Sequence, residues 1–107
     1  MPKFLLVAET TPNPGREADF NKWYDNTHVP ELLKLPGVKS AERFKLSLTM
    51  AGTAPDHPYY TIYEVETDDL QKTLGAFGTT KLTQSDSFDP SKAQMSIYQA
   101  VGKKVTG

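Results

Sequence analysis

Phe20-Asn21-Lys22-Trp23-Tyr24-Asp25-Asn26-Thr27-His28-Val29-Pro30-Glu31 is the stretch on which the reading of this 107-residue chain turns. It holds the only Trp and one of the two His residues. At about 100° per residue, Phe20, Trp23, Tyr24 and Thr27 share one face of a helix, with Glu17 adjoining it. Lys22, Asp25 and Asn26 take the opposite side. His28 falls beside Tyr24, at the edge of the apolar stripe. Pro30 has no N–H and crowds the carbonyl four residues back, so the helix is expected to end or kink near Val29. A titratable ring therefore stands at a helix end, next to a phenol and an indole.

Upstream, residues 3–9 read as a short buried strand, and Asn13 followed by Pro14 suits an N-cap and first helical position. The first helix is expected over about 14–27, with a second short turn over 31–35 opened by Pro30. Pro36-Gly37 is a hard stop. Downstream, 38–50 is the longest strand candidate, with Val38, Phe44, Leu46, Leu48 and Met50 on one parity and Lys39, Arg43, Lys45 and Ser47 on the other. Residues 59–66 form an aromatic and β-branched strand. Thr67-Asp68-Asp69 caps a second helix with an apolar stripe at Leu70, Leu74 and Phe77. Residues 93–101 give the last strand, with Met95, Ile97 and Val101 on one face and Tyr98 on the other.

The order β-α-β-β-α-β predicts an α+β, ferredoxin-like fold, a four-stranded antiparallel sheet with both helices on one face. No internal repeat or linker interrupts it, so residues 1–107 are read as a single domain. The uncovered face is apolar or aromatic in part, and a second copy of the same sheet is the expected cover, giving a homodimer.

Composition narrows the function. Twelve basic and thirteen acidic residues are well mixed, with net charge −1. No basic stripe exists for nucleic acid or an anionic membrane. The chain has no Cys, which excludes disulfides and thiolate chemistry. The apolar run at residues 4–7 is too short for a signal-peptide core or a membrane span, so a cytoplasmic protein is expected. Two His separated by 29 positions with no Cys make a poor metal set. No cofactor-binding motif is present, so neither metal nor cofactor is expected.

Trp23-Tyr24-Asp25-x-x-His28-Val29-Pro30-Glu31, then Leu35-Pro36-Gly37-Val38 leading to Ala41-x-Arg43-Phe44, and later Tyr63-Glu64-Val65, resembles the dimeric α/β-barrel superfamily, and within it the EthD-like branch. The resemblance spans nearly the whole chain. It implies two ferredoxin-like subunits whose sheets close into a barrel, with a pocket in each subunit between helices and sheet. Members of that superfamily include isomerases, cofactor-free monooxygenases, polyketide cyclases and a hydroxynitrile lyase. In several, a His near this helix end does acid–base work, sometimes with a Tyr; here His28 and Tyr24 inherit that implication. Fold does not fix function, so the side chains must carry the argument.

His28 is the sharpest candidate, because imidazole titrates near neutral pH and can take or give a proton. Its plain alternative is a ring that caps helix carbonyls. Tyr24, one turn earlier, orients that ring or donates to a substrate oxygen, or else is a core phenol. Phe20 and Trp23 are read as wall and core of a substrate pocket. Arg43 either binds a substrate carboxylate or enolate by its fork or pairs with Glu42, Glu64 or Glu66. Glu64 is a base if it faces inward and ordinary if it faces water. Tyr60 and Phe77 complete the expected substrate-binding set, while His57 reads as an exposed loop residue.

The expected function is a small cofactor-independent enzyme of lyase, isomerase or cyclase type. Its substrate is a small apolar, aromatic or polyketide-like molecule, with His28 as general acid or base. Two alternatives stand beside it: a cofactor-free monooxygenase of phenols, and a non-catalytic ligand-binding or accessory protein.

Overall fold

A computed structural model describes residues 2–107. Strand β1 is Lys3–Thr10, followed by helix α1, Glu17–Trp23. A wide π-helical turn, Tyr24–His28, continues α1 into helix α2, Val29–Leu33. Then come β2, Val38–Lys45; β3, Tyr59–Glu66; α3, Leu70–Thr79; and β4, Gln94–Gln99. All pairings are antiparallel and the strand order is β2-β3-β1-β4. This is the ferredoxin-like arrangement expected from the order of elements.

The helix does not end at Val29. Residues 23, 24, 28 and 29 all keep right-handed helical dihedrals, so the chain passes through Pro30 without a break. The missing Pro30 N–H leaves the ladder one donor short. The Val29 N–H bonds the Tyr24 carbonyl, five residues back, and Pro30 falls in the first turn of α2, where it needs no donor. The start of α1 is also later than expected: Arg16 is the N-cap, and Pro14-Gly15 form a turn with Gly15 at φ 77°.

Strand β2 corrects the sequence reading twice. It stops at Lys45, leaving Leu46, Leu48 and Met50 exposed in the following connection. It also carries an irregularity between Val38 and Ser40, which inserts one residue and inverts the parity after it. Val38 pairs with Val65 and Arg43 with Thr61, so both face the helices, while Phe44 pairs with Tyr60 on the uncovered side. In β4, Met95 and Ile97 share a face as expected, opposite Ala8 and Leu6, but Val101 lies beyond the strand and is exposed.

One core cluster joins Leu6, Ala8, Leu32, Leu35, Val38, Tyr63 and Val65 beneath the helices. A second holds Phe20, Tyr24 and Tyr59, with Phe20 meeting Tyr24, Tyr59 and Phe88 edge-on at 5.3–5.5 Å. On the opposite face of the sheet, Leu5, Phe44 and Tyr98 remain exposed beside Glu64. His57 is buried at 8% exposure rather than exposed, its Nδ1 2.8 Å from the Thr11 hydroxyl. That bond satisfies a ring the loop folds inward.

Candidate functional site

Residues 24–28 carry the π-helical turn, and the turn places the rings. In a regular helix, residues five apart point about 140° away from each other. Widening the turn brings them together: the Trp23 indole and His28 imidazole stack with centroids 4.6 Å apart and planes 23° from parallel. Tyr24 meets the same imidazole edge-on at 4.9 Å.

These rings form one wall of a cavity of about 200 Å³. Leu32 continues that wall from α2. The sheet supplies Ala8, Thr10, Tyr63 and Met95, and a third side is built by Leu82, Thr83, Gln84 and Phe88. The lining is mainly apolar, yet four of its residues carry a buried polar atom with no hydrogen-bond partner in the protein. They are Thr10 Oγ1, Trp23 Nε1, His28 Nδ1 and Tyr63 OH. Unsatisfied buried polar atoms are uncommon, and four around one cavity mark a place where a ligand can supply the partners.

Electrostatics set the protonation states. Burial holds His28 below its ordinary value of 6.5; Glu31 pulls the other way, and Arg43 adds to the lowering. The imidazole is therefore neutral at pH 7. Burial pushes the Tyr63 phenol far up, and the Tyr24 phenol beside it adds to the shift, so Tyr63 stays protonated and is a donor.

Of the other residues singled out from the sequence, Phe20 is fully buried core behind Tyr24. Arg43 does face the helices, but its fork is engaged: Nη1 donates to Asp25 at 2.8 Å and Nη2 to the Asn21 side-chain oxygen at 2.9 Å. Its guanidinium lies 4.5 Å from the Tyr24 ring centre. The ion-pair partner is thus Asp25 on the helix, not Glu42, Glu64 or Glu66. Phe77 packs against the first core cluster. Tyr60 and Glu64 point to the uncovered side of the sheet, where Glu9 raises the Tyr60 phenol above its ordinary value. Glu64 lines a hollow of about 360 Å³ there, with Lys3, Tyr98 and Lys104. That hollow is larger than the His28 cavity, but none of its lining residues carries a buried, unpartnered polar side chain.

Sequence reasoning missed Tyr63 and Thr10. A signal existed for Tyr63: its parity in β3 reads Tyr59, Thr61, Tyr63, Val65, whereas the other reads Tyr60, Ile62, Glu64, Glu66. Two carboxylates mark the second set as outward. Leu82, Thr83 and Phe88 had no such signal, because their segment has no periodicity.

Among the described residues, no three His, Asp or Glu gather as metal ligands, and no helix is long and apolar enough to cross a membrane. No family model and no curated relative matches the chain. Two solved structures are similar. One is an ethyl tert-butyl ether D (EthD) family protein from Bacillus halodurans, 18% identical with TM-score 0.59, covering 98% of this chain and 100% of that one. The other, from Bordetella bronchiseptica, is assigned to the antibiotic biosynthesis monooxygenases; it is also 18% identical with TM-score 0.59, covering 94% and 99%. At that identity the likeness is one of fold: this chain shares its four-stranded, ferredoxin-like α+β fold with both structures.

Proposed function

We propose that the cavity beside His28 binds a small, neutral, mostly apolar molecule bearing oxygen functions, and that His28 moves a proton to or from it. The observation that carries this reading is the ring of four partnerless buried polar atoms around a mainly apolar space. Neutrality follows from the lining, which includes no Lys or Arg, and from the engagement of Arg43 with Asp25 and Asn21. A carboxylate would be buried there without a countercharge.

Neutral His28 is the base, with Nδ1 free of any protein partner. The Tyr63 hydroxyl and Trp23 N–H are donors suited to an oxygen on which negative charge develops. Tyr24 holds the imidazole by its ring edge. The reaction class is proton transfer beside a carbonyl or hydroxyl: elimination, isomerisation or aldol-type closure. Catalysis by these side chains alone, without cofactor, is part of the proposal, as is a second copy of the chain on the uncovered sheet face.

The stacking of Trp23 on His28 favours a second reading, in which His28 deprotonates a phenol beside the indole, the phenolate adds dioxygen at a ring carbon to give a hydroperoxide, and loss of water leaves a quinone, the substrate itself supplying the electrons. The Bordetella structure is assigned by name to the antibiotic biosynthesis monooxygenases and is the reason to test it.

The test is a panel of neutral monocyclic phenols, ketones and cyanohydrins, with binding followed by the fluorescence of Trp23, the only tryptophan. Turnover is then compared in the parent and in His28→Gln. Removing a positioned acid or base is expected to cost about 10²–10⁴-fold in rate. Equal turnover by the two proteins would remove His28 from the chemistry. Oxygen uptake identifies the second reading, and a tight ligand recovered unchanged identifies a binding protein.

A further inference from the structure

We propose that residues 82–88 form a strap over the His28 cavity and that Glu31 is the positioning residue that latches it. The inference rests on that cavity being the ligand site, and its test needs no ligand.

The strap supplies Leu82, Thr83, Gln84 and Phe88 to the lining, facing His28 and Trp23 on the helix side. It has no helix or strand of its own beyond a single bridge from Phe88 to Pro12. Its two ends are held very differently. At the 86–88 end, the Asn13 N–H donates to the Ser87 carbonyl at 2.7 Å and the Asn13 side chain to the Asp86 carbonyl at 3.0 Å. Arg16 pairs with Asp86 at 2.8 Å, and Ser87 is fully buried. Phe88 packs on Trp23 and Phe20 at 5.4 and 5.5 Å. This end is multiply anchored.

At the other end, Leu82 packs against the edge of the first core cluster and Glu31 is the polar fastening. Among the described residues, the hydrogen bonds tying residues 81–84 to the rest of the molecule are the two to its carboxylate. The Thr83 N–H donates to Oε1 at 3.0 Å and the Thr83 hydroxyl to Oε2 at 2.8 Å. Those two bonds also hold the Glu31 carboxyl below its ordinary value. Thr83 is exposed, so water competes for both bonds, and opening lifts only the half-buried Leu82 from the edge of the first core cluster. Glu31 lies on α2, three residues after His28, so one continuous helical run carries both the reactive ring and the fastening of its cover. With Ser87 and Phe88 fixed, release of Thr83 swings Leu82 and Gln84 away from the cavity. That opening gives a small molecule a way in.

Acrylamide quenching of Trp23 fluorescence reads this directly, since Trp23 lines the cavity. Glu31→Ala is expected to raise the quenching constant roughly two- to fivefold, the population change produced by losing an exposed charge-assisted hydrogen bond. Glu31→Gln keeps an acceptor and recovers part of the shielding. Thr83→Val alone gives a smaller rise, and added to Glu31→Ala it gives none, because the latch is already gone. Near-ultraviolet circular dichroism and melting temperature should stay near the parent in Glu31→Gln and Thr83→Val. Unchanged quenching in every variant overturns the latch, as does a full extra effect of Thr83→Val in the Glu31→Ala background. If the parent proves to have no turnover, latch-dependent quenching still stands. If it turns over a substrate with quenching unaffected, the strap alone is wrong.

Discussion

The His28 imidazole lies flat on the Trp23 indole, five residues earlier in the chain, at 4.6 Å. The contact exists because Pro30 cannot donate and the chain answers with a π-helical turn rather than a break. Turns of this kind recur at functional sites, and here one turns a helix-end histidine into a ring held on two sides by aromatics.

Burial lowers the proton affinity of that ring, and the sign of the consequence is fixed. Above the unfolded value near 6.5 the imidazole is neutral in both states and costs nothing. As pH falls below it, the unfolded chain takes up a proton that the folded chain resists, so stability drops until the folded ring is protonated too. Melting temperature measured from pH 7.5 to 5 is expected to fall more steeply in the parent than in His28→Gln. Parallel curves would mean that His28 is not held neutral by the fold. The comparison is needed because Asp86 and Asp89, whose carboxyls are held low by Arg16 and Ser91, also lose stability on acidification, at lower pH.

Tyr63→Phe is expected to lower activity without lowering stability. The hydroxyl is buried without a partner, so its removal costs no hydrogen bond and relieves desolvation, leaving stability unchanged or raised by about 1 kcal/mol. Loss of a donor to a developing oxyanion costs roughly 10²–10³ in kcat. Urea denaturation and single-turnover kinetics check the two halves. A clear loss of stability would show that the hydroxyl is satisfied in the free protein.

Gly37 sits at φ 90°, and a Cβ there would stand 3.2 Å from the Glu66 carbonyl and 3.4 Å from the Thr73 methyl. Its carbonyl also accepts the Glu66 N–H at 2.9 Å. Gly37→Val therefore forces a strained backbone against a fixed neighbour at the start of β2, with an expected loss of about 1–3 kcal/mol. An unchanged melting temperature would contradict this geometry.

The uncovered sheet face presents Leu5, Phe44 and Tyr98 to solvent. A second copy covering them would give a light-scattering mass of twice the 11.9 kDa of one chain at micromolar concentration. A mass of one chain would refute the dimer.

The sequence by itself determined the order of elements, the antiparallel ferredoxin-like sheet and the aromatic helix that carries His28. Each follows from local patterns: aromatic and β-branched runs, the 3.6-residue stripe, and the Pro36-Gly37 stop, whose glycine does take a positive φ. Three things needed the tertiary structure. The Val38/Ser40 irregularity inverts β2, so strand parity read along the sequence put Arg43 and Val38 on opposite faces when they share one. A proline reads locally as an end or a kink, but with Leu32 and Tyr24 both packed into the core the helix runs on through a widened turn. The cavity itself is assembled from residues 8 to 95 through long-range pairing, which no window of sequence contains. Tyr63, Thr10 and the strap therefore join His28 only once β1, β3 and residues 82–88 are brought around it.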